Sequence, residues 1–110
     1  MTAKIIFIDD REDVRFTYKR NLSRIFNDIA EVIALEPLEK ITDMISYLDQ
    51  IDEKVMYVVD EDLKHYGVAQ YSGAELIQAI RISDRKIPIY ILTGYILNID
   101  KNLACLFFFF

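Results

Sequence analysis

Two acidic segments hold most of the chemistry available to this chain, Asp9-Asp10 and Asp60-Glu61-Asp62, and a hydroxyl residue, Thr93, follows later beside Gly94. Carboxylates brought together repel, and each raises the pKa of its neighbours unless a cation sits among them. A hard divalent ion such as Mg²⁺ takes oxygen ligands and keeps several waters, so converging acids of this kind call for Mg²⁺. Other reactive types are sparse. His65 stands alone in a polar loop, where solvent exposure is the ordinary state. Cys105 has no His or Cys beside it in sequence and reads as a small buried apolar residue.

The acids act together only if the fold converges them, and the hydrophobic pattern says how. Residues 4–8, Lys-Ile-Ile-Phe-Ile, form a β-branched and aromatic run suited to a strand buried on both faces, and the run stops at Asp9. From Arg11 the period changes: Val14, Tyr18, Leu22 and Ile25 recur at helical spacing, with Arg15, Lys19, Arg20 and Arg24 on a solvated face. Residues 30–35 read as a second strand, and Pro37 suits the first turn of a second helix carrying Leu38, Ile41, Ile45 and Leu48. Residues 55–59 form a third strand that ends, like the first, in acid. Ser72-Gly73-Ala74-Glu75 has the spacing of a capping box and opens a third helix with Leu76, Ile77 and Ile80. Residues 87–92 are a fourth strand, with Pro88 near its start. Tyr57 and Tyr90 are core positions within strands, residues 95–104 suit a short helix, and residues 105–110 suit a fifth strand.

Strands alternating with amphipathic helices define an α/β class with a parallel sheet covered on both faces. In such a sheet the carboxyl ends of strands one, three and four open on one edge, where ligands bind. A length of 110 residues fits one domain, residues 1–110, and 53% hydrophobic residues supply its core. A net charge of −5 argues against binding nucleic acid through bulk electrostatics. No apolar run is long enough to span a bilayer, and the N-terminus lacks the pattern of a signal peptide, so a cytoplasmic location is expected.

Ile6-Phe7-Ile8-Asp9-Asp10, Val58-Val59-Asp60, Ser72-Gly73-Ala74-Glu75-Leu76-Ile77 with Ala79-Ile80-Arg81, and Pro88-Ile89-Tyr90-Ile91-Leu92-Thr93-Gly94 together resemble the receiver domain of bacterial response regulators. The resemblance covers residues 4–94 and implies a flavodoxin-like, doubly wound sheet with strand order 2-1-3-4-5. It implies that Asp60 is the phosphoacceptor, that Asp9 and Asp10 hold Mg²⁺ together with Asp60, and that Asp62 offers its backbone carbonyl to the ion. Thr93 then matches the hydroxyl that contacts the phosphoryl group and switches on activation. The implied partners are a sensor histidine kinase or phosphotransfer protein and a downstream protein target.

The chain departs from that pattern in two places. Receivers carry a lysine at the end of strand five and a helix after it; residues 105–110 contain no lysine, and Lys101 comes too early for the role. The C-terminal part therefore reads as truncated or atypical, and its apolar residues, Phe107 to Phe110, suit either a packed strand or a homodimer contact. The loop after Asp60 is also longer than usual and lacks the common proline. The expected function is a stand-alone receiver that is no enzyme and signals through protein contacts. The alternative is a pseudo-receiver used only for protein interaction. A Mg²⁺-dependent hydrolase or nuclease built on Asp60 and Asp62 would need a base, a phosphate-cradling glycine loop or a basic groove, and the sequence offers none of these.

Overall fold

The structure, a computed structural model, describes residues 2–93 and the backbone of a strand at 106–109. In chain order the elements are β1 (Ala3–Ile8), α1 (Glu12–Ile25), β2 (Ala30–Leu35), α2 (Ile41–Asp49), β3 (Lys54–Asp60), α3 (Gly73–Ser83), β4 (Ile89–Thr93) and β5 (Leu106–Phe109). They form one sheet in the order β2-β1-β3-β4-β5. The four strands β1 to β4 are mutually parallel.

Residues 5–8 are buried to within about one per cent because helices cover β1 on both sides. Ile5 and Phe7 face α1, packing with Leu22, Val58 and Leu92 and with the half-buried Val14, Tyr18 and Phe26. Ile6 and Ile8 face the opposite way, into a core with Met44 and Leu48 of α2, Leu76, Ile77 and Ile80 of α3, and Val59 and Ile91 of the neighbouring strands. The period-two alternation of β1 thus divides one apolar run between two cores.

The structure corrects several local expectations. Ile25 is exposed rather than on the buried stripe of α1, and Phe26, one residue on, packs against the core in its place. Pro37 does not open α2, which begins at Ile41 after an extended Lys40; the proline is instead a buried part of the β2–α2 loop. Leu38 lies in that loop too and is exposed, while Met44 supplies the buried contact within the helix. Pro88 precedes β4, and its carbonyl accepts the Tyr57 N–H at 2.9 Å. Tyr57 is core, whereas Tyr90 is half-buried. The Ser72 capping box forms as the spacing predicts, with Ser72 Oγ accepting from the Glu75 N–H and Glu75 Oε1 accepting from the Ser72 N–H.

The strand order is the expected one, but β5 pairs antiparallel with β4, from Tyr90 opposite Phe109 to Thr93 opposite Leu106. A parallel neighbour requires the chain to cross back along the face of the sheet, whereas an antiparallel one can be reached by a direct return. The expected helix over residues 95–104, together with Gly94, Lys101 and Cys105, lies outside the described residues.

Candidate functional site

Register brings the acids together. Ile8 of β1 pairs with Val59 of β3, so the next residues along, Asp9 and Asp60, emerge side by side at the carboxyl edge. The Asp9 N–H continues the ladder beyond β1 by donating to the Leu35 carbonyl at 3.3 Å. Asp60 pairs in turn with Leu92, which puts Thr93 one residue further along the adjacent strand on the same edge. Carboxylate oxygens of Asp9, Asp10 and Asp60 lie within 4.8 Å of one another. No other group of three or more potential ligands of this kind is found among the described residues.

Asp9 and Asp10 are 3% and 6% exposed, and Asp60 is half-buried. Charges buried this deeply need partners. The Arg11 N–H donates to Asp9 Oδ1 at 2.8 Å, and Arg15 Nη1 donates to the Asp9 carbonyl at 2.8 Å. Arg15, expected on the solvated face of α1, is therefore half-buried against the acidic edge. Asp9 does not cap α1: Arg11 occupies the N-cap position, without a side-chain cap. Burial raises the Asp9 carboxyl to about 6, against the opposing Arg11 N–H bond and with the Asp10 charge adding to the rise. Burial, followed by the charge on Asp9, raises Asp60 to about 7. None of the three carboxylates forms an ion pair with another described residue. An all-oxygen set of mutually repelling carboxylates, with Arg15 near Asp9 but no ion pair to any of the three, fits a hard divalent cation.

Asp62 is exposed and its side chain lies outside this group. Its N–H donates to Asp60 Oδ2 at 3.2 Å, and its Oδ1 accepts from the Lys64 N–H at 3.1 Å, so it shapes the turn leaving Asp60. His65 is exposed, with its ring 4.6 Å from that of Tyr66. Glu61 Oε2 is buried without a hydrogen-bond partner among the described residues.

Three contributors to this edge were not legible in the sequence. The first is the β3–α3 loop, residues 61–72, which crosses the edge of the sheet. Leu63 anchors it in the core, the Tyr66 N–H donates to Asp10 Oδ2 at 2.7 Å, and Gln70 and Tyr71 fasten it to the carbonyls of Glu39 and Leu38. Main-chain donors of this kind leave no trace in residue type. The second is Arg15, whose four-residue spacing from Lys19 matches a solvated face equally well. The third is Gly73, which seats α3 against the end of β3. An open cavity of ≈ 570 Å³ lies beside Asp10, bordered by Arg11, Arg15, Glu36 and Tyr66.

No protein-family model and no curated protein sequence matches the chain. Solved structures do match. A CheY-like response regulator receiver domain from Methylobacillus flagellatus superposes with a TM-score of 0.66 at 14% identity, over 92% of this chain and 77% of that one. A response regulator receiver protein from Pseudomonas putida gives 0.66 at 18% identity, over 86% and 69%. RcsB from Salmonella enterica serovar Typhimurium, bound to promoter rprA in the presence of phosphomimetic BeF3−, gives 0.62 at 23% identity, over 86% of this chain and 49% of that one. At such identities the likeness is one of architecture: the chain has the fold of a response regulator receiver domain.

Proposed function

We propose that this chain is a phosphoryl-accepting receiver module, with Asp60 as the acceptor and Asp9 and Asp10 as the acidic pair beside it. The observation that carries the reading is the convergence of these three carboxylates at the carboxyl edge of a receiver-type sheet. In the proposed reaction an Asp60 carboxylate oxygen attacks phosphorus in line, the bond to the donor's leaving group breaks, and an aspartyl phosphate forms. Mg²⁺, held by Asp9, Asp10, Asp60 and the Asp62 backbone carbonyl, would supply neutralisation of charge on the transferring oxygens. Thr93, one residue beyond the partner of Asp60 on β4, is the hydroxyl assigned to contact the phosphoryl group. The donor class is a histidine kinase or a phosphotransfer protein. The output is a contact with a downstream protein, biased by new charge at this edge.

A second reading, an interaction module that keeps the fold without the chemistry, draws support from β5. Because that strand runs antiparallel, its last residue, Phe109, pairs with Tyr90 at the far side from Asp60. A lysine at the carboxyl end of such a strand would not reach the acids, and residues 106–109 contain none.

Intact mass after incubation with Mg²⁺ and acetyl phosphate separates the two. A single phosphoryl adduct, absent from Asp60→Asn and from the metal-free reaction, supports the acceptor reading. Folded protein without an adduct leaves the interaction module.

A further inference from the structure

The bond between the Tyr66 N–H and Asp10 Oδ2 joins residues 56 apart in sequence and, at 2.7 Å, is the shortest one made to any of the three clustered carboxylates. It is the hydrogen bond from the β3–α3 loop to Asp10, whereas the loop's other bond to the acidic group, from the Asp62 N–H, goes to Asp60. The loop is pinned on either side of it, by Leu63 in the core and by Gln70 N–H and Tyr71 Oη on the β2–α2 loop, at 3.0 and 2.6 Å. The Arg11 guanidinium lies 4.8 Å from the centre of the Tyr66 ring and itself binds Asp13 Oδ2 at 2.8 Å, a solvent-exposed contact that adds little to these anchors. Asp10 faces two like charges at close range, and its carboxylate lowers its energy by turning towards solvent unless something restrains it.

We propose that Tyr66 is the positioning residue for Asp10: its main-chain N–H holds the carboxylate in the cluster, so that divalent-cation affinity depends on the loop. This rests on the reading of the acids as a cation site. Linkage makes the coupling reciprocal, so a cation held by Asp10 tightens the loop by the same factor by which the loop tightens the cation. The exposed side chain of Tyr66 contributes ring contacts with Arg11 and His65, whereas the peptide N–H does the positioning. The two are separable by substitution, because proline removes the N–H and alanine removes only the ring.

The test is calorimetric titration with Mg²⁺ of wild type, Tyr66→Pro and Tyr66→Ala, alongside hydrogen exchange of the Tyr66 amide in wild type and Asp10→Ala. The expected result is a five- to tenfold loss of affinity in Tyr66→Pro, near-wild-type affinity in Tyr66→Ala, and a Tyr66 amide protected in wild type but at least tenfold faster in Asp10→Ala. Equal affinity in Tyr66→Pro and wild type would overturn the proposal, as would an equal loss in Tyr66→Ala. Should Tyr66→Pro fail to fold, the exchange measurement decides: an unprotected Tyr66 amide in wild type, or protection unchanged in Asp10→Ala, refutes the bond. Wild type that binds no Mg²⁺ while its Tyr66 amide is protected through Asp10 removes the cation reading and, with it, the role of the loop in affinity.

Discussion

Gly73, the first residue of α3, lies directly against the backbone of Asp60, and a Cβ at that position would come within 2.1 Å of the Asp60 carbonyl oxygen. The Gly73 N–H also donates to the Glu61 carbonyl at 2.9 Å, so the helix start and the strand end are locked together. The φ of this glycine is not in the left-handed region; hydrogen is required for space alone. Whatever moves α3 moves the backbone that carries the candidate acceptor.

Gly73→Ala is therefore expected to push the helix and Asp60 apart and to cost about 2–3 kcal/mol of stability, as overpacking against a fixed backbone does. Urea denaturation measures the loss. A midpoint within error of wild type would show that the contact relaxes freely.

Asp9 and Asp60 set the pH dependence of the metal-free protein. Both folded-state values, about 6 and about 7, lie above the ordinary value of 3.8, so the folded protein binds more protons than the unfolded chain in the interval between. Stability contributed by these groups is complete below about pH 4 and falls as pH rises through about 6 to 7. Asp60→Asn removes part of that penalty and is expected to raise stability at pH 8 in a chelator by on the order of 2 kcal/mol, or roughly 10 °C in melting temperature. Thermal melts across pH 5 to 8 check it, and a variant that melts below wild type at pH 8 contradicts it.

Protons and cations compete for the same oxygens. Mg²⁺ affinity is expected to fall roughly 100-fold between pH 8 and pH 5.5 as Asp9 and Asp60 take up protons. Asp10→Asn, which removes one of the three charges, is expected to lower affinity at least tenfold at pH 8. Calorimetry at several pH values reads both effects, and a flat profile would place the cation elsewhere.

The Ser72 capping box closes the start of α3, one residue before the Gly73 contact with Asp60. Ser72→Ala deletes the acceptor for the Glu75 N–H and is expected to cost about 1 kcal/mol. Chemical denaturation measures the loss, and a midpoint within error of wild type contradicts it.

Much of this arrangement could be read from residue types alone. Buried parallel strands declare themselves as continuous β-branched runs, and the acids that end β1 and β3 fall together because register follows from the alternation of buried side chains. Ser72 and Glu75 marked the start of α3 because capping is a local interaction between specific side chains. The illegible parts have a common cause. The bond from Tyr66 to Asp10 and the contact of Gly73 with Asp60 are made by backbone, which every residue type shares. The direction of β5 depends on the path of the chain rather than on its apolar pattern, which is the same for either direction. Arg15 sat on a face that periodicity called solvated, and its half-burial depends on where the end of β1 carries Asp9.

The sheet order has a consequence for the sequence of events during folding. β1 and β2 can pair around α1 using only the first 35 residues, since both strands and their crossover lie within them. The acidic group cannot form then, because its third member arrives with β3 on the opposite flank of β1, and the loop that touches Asp10 follows later still. The pair of acids at the rim of β1 therefore depends until then on local contacts alone, whereas the repulsive three-carboxylate edge exists only once β3 has docked beside β1.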